Sequence, residues 1–299
     1  VRASNSIIYK VNKVIESPEM NSVAGGILMR YKKYGQWYWM LLNAGLGEGL
    51  YDILYYQHSP KTLLVQSDAT WDFPLAEDLS PIDRDLKRQQ CQAGIINIDV
   101  RTEGGFKRRF YPTAYGHIYY ENGKFYDYTG HSVSLVSSSP EWEAANGAIY
   151  EVDGFLTPLD RLNDTLTVYN ILKKQPNLSL FTQALDKSGI ASQLQLTGFF
   201  TYTVLAPTNN AITASGINVA TMDAAAARAF VQSYIISNRY VFNDGTFSGQ
   251  IANKNNERLT ISGQWEDFRV TNAVGIALQL ETANIQGSNG VIHKVQNVF

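Results

Sequence analysis

The chain has 299 residues, of which 44% are apolar and 17% are charged, and its formal net charge is −2. This length and composition allow two buried cores in domains of ordinary size and exclude a disordered chain. The small net charge supplies no field that would gather nucleic acid, and no apolar run approaches the roughly 20 residues of a membrane-spanning helix. We therefore expect no nucleic-acid partner and no transmembrane segment.

One short string occurs three times, beginning at Ser4, Ala145 and Ser288. The copies read SNSIIYKVNKVI, ANGAIYEVDGFL and SNGVIHKVQNVF, and they are spaced by 141 residues (145 − 4) and 143 residues (288 − 145). Such a period is about one domain length. The repeat predicts two copies of one domain, 16–156 and 157–299, each closing with this string, and it predicts that residues 1–15 are the terminal strand of a missing upstream domain.

A short helix opens each predicted domain. The apolar spacing predicts helices over 23–29 and over 168–172. The lysine pairs 32–33 and 173–174 are placed at the ends of these helices, because cations are favoured near helix C-termini.

A second helix follows in both copies. In the later copy Asn177 is the predicted N-cap, and Gly189 is the predicted left-handed residue at the C-terminus. In the earlier copy the same pattern contains Trp37 and Met40 and is predicted to end at Gly45.

Buried strands are predicted next, over 62–65 and 203–206, because each apolar run ends in Ser or Thr followed by Asp or Asn, which favour turns. A helix then begins at Pro81 after the N-cap Ser80 and is matched by a helix over 224–235.

Short strands and tight turns complete each copy. Asn122-Gly123 is a strong signal for a two-residue hairpin. In the closing string Val291, His293 and Val295 alternate with Lys294, which predicts a half-buried strand. Helices followed by strands, without regular alternation, predict the α+β class and argue against a doubly wound nucleotide-binding fold.

Two segments of the second copy carry a family resemblance. Thr203-Val-Leu-Ala-Pro-Thr-Asn-Asn-Ala-Ile212 and the closing string, separated by a helix ending in Phe-Val-Gln-Ser-Tyr-Ile235, closely resemble the fasciclin domain family. The first copy resembles it more loosely, since Val-Gln-Ser-Asp at 65–68 stands where the family usually has Ala-Pro-Thr-Asn. The resemblance implies tandem α+β domains, each a β-sandwich with helices packed at one side.

Function follows from the same resemblance. It implies a non-catalytic cell-surface adhesion or binding protein that engages an extracellular protein partner. The alternative is a polysaccharide-binding accessory protein of a bacterial outer-surface glycan capture system. Either reading places the protein outside the cell or at its surface, with the bacterial outer membrane or periplasm preferred and a lipid anchor upstream of Val1 left open, as is the oligomeric state.

Candidate contacts come from aromatic clusters and from two family positions. Exposed rings with hydrogen-bonding edges suit a sugar-binding surface, whereas the alternative use of such aromatics is to fill a core. Many family members carry Tyr-His after the central helix and Asp-Ile before the closing Asn-Gly, pairs linked to adhesion. This sequence has Tyr-Ile and Asn-Ile there. The candidate partner or glycan contacts are Tyr38, Trp39, Tyr119, Tyr126, Tyr234, Ile235, Asn284 and Ile285.

No catalytic, cofactor or metal site is predicted. The four histidines lack the spacing of metal ligands, and His293 occupies a slot filled by tyrosine in the other copies, which predicts a packed ring. Cys91 aligns with Val231 in the second copy, which predicts a core residue. Glu141 and Glu143 superficially resemble a carboxylate pair but are predicted to be solvated in a loop.

Overall fold

A computed structural model of the protein describes residues 21–43, 60–71, 74 and 78–299, without the side chains of 41–43. The strand predicted for residues 1–15 and the helix end predicted at Gly45 lie outside this part of the chain, as does His58.

Helices and strands follow each other in two similar series, and in each series most helices precede most strands. The helices are α1 (Val23–Met29), α2 (Tyr31–Asn43), α3 (Pro81–Ala93), α4 (Val168–Lys173), α5 (Ser179–Ser188), α6 (Asn209–Ala214) and α7 (Ala224–Gln232). The strands of the first series are β1 (Lys61–Gln66), β2 (Ile95–Ile96), β3 (Arg109–Pro112), β4 (His117–Glu121), β5 (Lys124–Tyr126), β6 (Ser132–Ser134), β7 (Trp142–Ala144) and β8 (Gly147–Val152). Those of the second are β9 (Tyr202–Pro207), β10 (Ile235–Ser237), β11 (Gly249–Ala252), β12 (Arg258–Ser262), β13 (Arg269–Thr271), β14 (Ala277–Leu278), β15 (Leu280–Gly287) and β16 (Gly290–Val295).

Each series forms one mixed sheet and one antiparallel meander. The mixed sheets have the orders β2-β1-β8-β7 and β10-β9-β16-β15, and the meanders have the orders β3-β4-β5-β6 and β11-β12-β13-β14. In both mixed sheets the two central strands are parallel, and the outer strands pair with them in antiparallel fashion. The duplicated topology, with helices beside separate sheets, confirms the tandem α+β architecture.

Equivalent side chains make equivalent hydrogen bonds in the two copies. The hydroxyl of Thr62 donates to the carbonyl of Ile98 (2.8 Å) and accepts from the amide of Val100 (3.0 Å). Thr203, at the matching position of β9, donates to the carbonyl of Arg239 (2.8 Å) and accepts from the amide of Val241 (2.9 Å). A buried threonine thus fastens the chain that leaves the edge strand in both mixed sheets.

The second copy is a sandwich around one core. Apolar side chains of its mixed sheet, such as Val204 and Ile292, share a cluster with Ile261 and Val270 of the meander and with helical residues including Phe181. The core of the first mixed sheet is a separate cluster, in which α1 and α2 supply much of the apolar surface.

Two compact units can be distinguished, and they differ from the two sequence repeats. One contains the described residues of Val1–Phe106 together with Ser134–Phe155; the other contains Lys107–Val133 and Leu156–Phe299. The first meander therefore belongs to the same compact unit as the second repeat. The domain boundaries 16–156 and 157–299 stay a prediction about repeats.

Several local predictions need correction. Lys32 and Lys33 lie in the first turn of α2, because α1 ends at Met29 with Arg30 as its C-cap. Asn177 lies inside a short 3₁₀ helix, Pro176–Leu178, that precedes α5, so it does not cap α5. The helix predicted over 224–235 ends at Gln232, since Ile235 begins β10.

The closing string is more buried than its alternation predicts. In β8 and β16 every residue is buried except Glu151 and Lys294, which are half-buried. Each of these strands is central in its sheet and pairs with a parallel neighbour, and the burial of consecutive residues means that both of its faces are covered. By contrast, the Asn122-Gly123 hairpin is confirmed, with φ of 50° and 80° at the two residues.

Candidate functional site

A cleft of about 980 Å³ lies within the second compact unit. Its lining combines strands of the first meander with the 3₁₀ helix Trp265–Asp267 and strand β15 of the second repeat. We call it the Trp265 cleft. The aromatic residues that line it are Phe110, Tyr119, Tyr126, Tyr128, Trp265 and Phe268.

The two sides of the cleft are fastened by a buried carboxylate. Oδ2 of Asp244 accepts a hydrogen bond from the amide of Phe110 (2.8 Å), and Oδ1 accepts from the amide (3.0 Å) and hydroxyl (2.6 Å) of Thr246. The ring of Phe110 stacks on Phe242 with centroids 4.2 Å apart and planes 9° apart. Residues more than 130 positions apart thus build one site, and hydrogen bonds to a charged group are the stronger kind.

Trp265 is held by side chains from the first meander. The guanidinium of Arg108 lies 4.0 Å from the centroid of the Trp265 ring, and Tyr119 packs against that ring at 5.6 Å. Arg108 also donates from Nε to the hydroxyl of Tyr119 (2.9 Å) and forms an ion pair with Glu121, with Nε 2.8 Å from Oε1. The ring of Tyr126 lies 5.8 Å from that of Tyr119, so the rings form a continuous wall.

These contacts change the acidity of two groups in that wall. The hydrogen bond to Tyr119 raises the pKa of the Arg108 guanidinium above its ordinary value. Burial is the main cause that raises the pKa of Tyr119, opposed by the hydrogen bond from Arg108. Both groups therefore keep their protons near neutral pH, and neither provides a base.

A chain of amide contacts supports Trp265 from the other side. Asn284 donates from Nδ2 to Oδ1 of Asn243 (2.6 Å) and accepts from the amide of Asn243 (3.1 Å), and the carbonyl of Asn243 accepts from the amide of Trp265 (2.6 Å). Trp265 has a φ of 51° and Asn284 a φ of 61°. A tryptophan in this left-handed region is uncommon and carries a strain that the surrounding contacts hold in place.

Three of the candidate contacts meet in this cleft, namely Tyr119, Tyr126 and Asn284. Ile285, the neighbour of Asn284, is half-buried against the core of the second repeat. Tyr234 and Ile235 are buried in that core, where the Tyr234 hydroxyl accepts from the amide of Phe299 (2.8 Å). As partner contacts all six remain predictions, and we carry the buried pair Tyr234 and Ile235 no further.

Tyr38 and Trp39 lie in the first compact unit. Both are half-buried against its core. The ring of Tyr38 meets Tyr31 edge to face at 5.4 Å, and the guanidinium of Arg84 lies 5.1 Å from the centroid of Trp39. These rings cover the rim of a core, and their role in binding stays a prediction.

Sequence reasoning missed the residue at the centre of the cleft. Trp265 lies in a short polar segment, Gly-Gln-Trp-Glu-Asp, without any periodic signal. Its importance comes from Arg108 and Tyr119, which are distant in sequence. Only the tyrosines of the hairpin and Asn284 carried a signal that the sequence could offer.

The remaining candidate chemistry resolves into structural contacts. Burial lowers the pKa of His293 to about 4, and its Nε2 donates to the carbonyl of Val241 (2.8 Å), so the predicted packed ring is confirmed. Cys91 is buried, and burial raises its pKa to about 12, as suits a core thiol. Glu141 precedes strand β7, but Glu143 lies within it, so the loop predicted for both residues is wrong for Glu143. Glu141 pairs with Lys33 (3.0 Å), and Glu143 pairs with Arg101 (3.3 Å).

Neither a metal site nor a membrane-spanning helix is found among the described residues. They contain no group of three or more His, Cys, Asp or Glu side chains arranged to hold a metal ion. Among them, no helix has the length and apolar character needed to cross a membrane.

Comparison with known proteins supports one family. A search of curated protein sequences gave no match. Among solved structures, the FAS1 domain pair of the insect cell adhesion molecule Fasciclin I is similar at a TM-score of 0.40 and 14% identity, covering 92% of this chain and 97% of that one. The model of the fasciclin domain matches residues 176–299. That segment, which includes the matching strands β9 and β16, is similar to the fasciclin domain.

Proposed function

We propose that the protein is a non-catalytic cell-surface binding protein that engages an extracellular polysaccharide through the Trp265 cleft. Fasciclin domains are generally adhesion or binding domains that act outside the cell or on its surface. The observation that carries the proposal is the wall of half-buried rings, Tyr119, Tyr126 and Trp265, in a concave site.

The chemistry of the lining supports a sugar ligand. Aromatic rings stack against the apolar faces of sugar rings, and amides supply both donors and acceptors for hydroxyl groups. The cleft offers three glutamine amides beside the rings, those of Gln279, Gln286 and Gln296. Its volume of about 980 Å³ lies at the upper end of the range for small-molecule sites, which leaves room for several sugar units.

An extracellular protein partner is the second candidate. A separate segment of the second compact unit exposes apolar side chains: Phe199 is 102% exposed, Leu162 is 70% exposed, and Leu196 and Phe200 are also exposed. Leu162 lies beside Gly198, 3.9 Å from where a Cβ would stand, so the exposed residues are neighbours. Exposed apolar clusters of this kind are typical of protein-protein contacts.

The cellular setting that fits this function is the exterior of a bacterium. We include in the proposal a role in glycan capture at the outer membrane and a lipid anchor upstream of Val1. Surface labelling of intact cells that express the native protein tests this setting. Absence of labelling on intact cells, with labelling after lysis, would contradict it.

Affinity gel electrophoresis with a panel of soluble polysaccharides tests the proposed function. We expect at least one polysaccharide to retard the full chain, and Trp265→Ala to weaken that binding about tenfold or more, equivalent to about 1.4 kcal/mol. Phe199→Ala is the matched control, because it removes an exposed ring outside the cleft. Thermal unfolding of both variants checks that each is folded.

The two candidate functions predict opposite results with these variants. If no polysaccharide retards the chain, and Phe199→Ala abolishes self-association or binding to a protein, the protein-partner function replaces the glycan function. Equal loss of polysaccharide binding in both variants would show that the cleft is not the site.

A further inference from the structure

We propose that the Trp265 cleft selects uncharged polysaccharides and rejects acidic ones. This inference rests on the proposed function and adds the chemical class of the ligand. It comes from the formal charges of the lining, which contains four carboxylates and two guanidinium groups. The carboxylates belong to Glu121, Asp127, Glu266 and Glu281, and the guanidinium groups to Arg108 and Arg269.

Both guanidinium groups are already engaged by groups of the cleft itself. Arg108 forms an ion pair with Glu121 (2.8 Å) and lies against the face of Trp265. The carboxylate of Glu266 also attracts the positive charge of Arg108. Arg269 donates from Nη1 to the carbonyls of Glu266 and Phe268, at 2.8 Å each. Arg269 keeps its positive charge, because its partners are neutral carbonyl groups, but four carboxylates against two guanidinium groups leave the lining with a formal charge of −2.

The carboxylate of Asp127 is also fully hydrogen-bonded within the protein. Oδ1 of Asp127 accepts from the amide (2.9 Å) and hydroxyl (2.6 Å) of Thr129 and from the amide of His131 (3.2 Å), while Oδ2 accepts from the amide of Thr157 (2.7 Å). These bonds hold the turn at 127–131, so the Asp127 carboxylate already has its partners within the fold.

Among the exposed charges left to meet a ligand, the two carboxylates of Glu266 and Glu281 outnumber the one cation, Arg269. Glu266 and Glu281 are both exposed at the cleft, and Glu281 accepts only a long hydrogen bond from Asn177 (3.3 Å) among the contacts described here. The described lining residues include no lysine. A polyanion entering the cleft would therefore meet carboxylates of its own sign, whereas an uncharged sugar would meet no such repulsion.

The test compares matched polysaccharides on the full chain. Neutral probes are galactomannan, xyloglucan and dextran, and acidic probes are polygalacturonate and alginate, all run in affinity gels at about 0.15 M salt, where exposed charges beyond roughly 8 Å are screened. We expect at least one neutral probe to bind and neither acidic probe to do so.

A double variant isolates the two free carboxylates. Glu266→Gln with Glu281→Gln should raise binding of an acidic probe about fivefold or more and change binding of the neutral probe by less than twofold. The control is Asp78→Asn with Asp164→Asn, which removes the same charge at two exposed positions outside the cleft and should change neither.

The outcomes separate this inference from the function on which it rests. If acidic probes bind as tightly as neutral ones, or if the glutamine variant gains no acidic binding, the charge rule is wrong while polysaccharide binding stands. If no probe of either class binds, or if polylysine alone binds, the proposed function fails and this inference with it.

Discussion

Asn289 shows how one side chain joins three parts of the second repeat. It is fully buried; its Oδ1 accepts from the amide of Val168 (2.8 Å), and its Nδ2 donates to the carbonyls of Leu194 (2.9 Å) and Leu196 (2.8 Å). Asn146, its counterpart, accepts from the amide of Val23 (2.9 Å). The asparagine of the repeated Asn-Gly thus accepts a hydrogen bond from the first residue of a helix that lies far away in sequence.

Replacing Asn289 with alanine should therefore be costly. Asn289→Ala leaves three backbone groups without their partner, two of them buried and one partly buried, and we expect the free energy of unfolding to fall by about 2–4 kcal/mol. Urea denaturation measures the change. Asn210→Ala, at an exposed helical position, is the matched control and should change it by less than about 0.5 kcal/mol. A loss at Asn289 no larger than the control's would contradict the role assigned here.

His293 predicts a pH dependence of stability. Burial lowers the pKa of His293 in the folded protein to about 4, against an ordinary value of 6.5. Between pH 4 and pH 6.5, the ring is therefore mostly protonated in the unfolded chain and mostly neutral in the folded protein. The stability that the neutral ring contributes is fully present above pH 6.5 and is lost as the pH falls towards 4, by at most about 1.4 kcal/mol per pH unit.

His293→Phe should flatten this slope. The ring stacks with Phe268 at 5.8 Å, so phenylalanine keeps the packing while it removes the titration. The buried His117, whose pKa is lowered to about 3 by burial, titrates in the same direction and leaves a residual slope. Unfolding by urea at several pH values measures the effect, and His131→Gln, at an exposed position, is the control. An unchanged slope in His293→Phe would refute the assignment.

At the scale of elements, glycine permits the close approach of the central parallel strands. A Cβ on Gly290 would lie 2.3 Å from the carbonyl oxygen of Tyr202, and one on Gly147 would lie 1.7 Å from that of Lys61. The residues are equivalent, since each begins the closing strand and pairs with the first residue of its parallel neighbour. Both copies require glycine for the same steric reason.

Gly290→Ala should destabilise the second repeat by about 1–3 kcal/mol or more, because the obstacle is backbone and cannot rotate away. Gly275→Ala is the control. It has a φ of 90° but nothing within 4 Å of its Cβ position, so only the cost of an unfavourable backbone conformation, about 1 kcal/mol, is expected. Thermal or urea unfolding compares them, and a smaller loss at Gly290 than at Gly275 would contradict the steric argument.

The elements were predictable where the signal is local. The first helix begins after Ser22, whose side chain accepts from the amide of Gly25, and its bounds match the prediction. The hairpin at Asn122-Gly123 is equally local. The lysine pair at 32–33 was misplaced because two helices follow each other with one residue between them, and neither charge nor periodicity marks such a junction.

The candidate site was less predictable, because it depends on contacts between the two repeats. Tyr119 and Asn284 could be singled out, the first as an aromatic of a hairpin and the second by the family position that precedes the closing Asn-Gly. Their meeting beside Trp265 follows from the bond between Asp244 and Phe110, and no local pattern of sequence announces a pairing across that distance.

At the scale of the whole molecule, the compact units and the repeats divide the chain differently. The first meander is covalently part of the first repeat, yet its contacts place Lys107–Val133 with Leu156–Phe299. Two contacts join the first meander to the second repeat: the hydrogen bond from the amide of Phe110 to Asp244, and the stacking of Phe110 on Phe242. The cleft exists because the first meander packs with the second repeat, so that each repeat supplies one side of it.

This division predicts which core governs the opening of the first meander. Leu64 and Leu205 occupy equivalent buried positions in β1 and β9, so Leu64→Ala and Leu205→Ala are chemically matched and should each destabilise their own sheet by about 2–5 kcal/mol. Native-state hydrogen exchange followed by mass spectrometry then reads the free energy of opening in peptides that cover 109–126. We expect Leu205→Ala to lower protection there, because these strands share a unit with β9, and Leu64→Ala to leave it within about 0.5 kcal/mol of the unaltered protein. Greater loss in Leu64→Ala would show that the meander opens with its own repeat, and the cleft would then not be a stable part of the second unit.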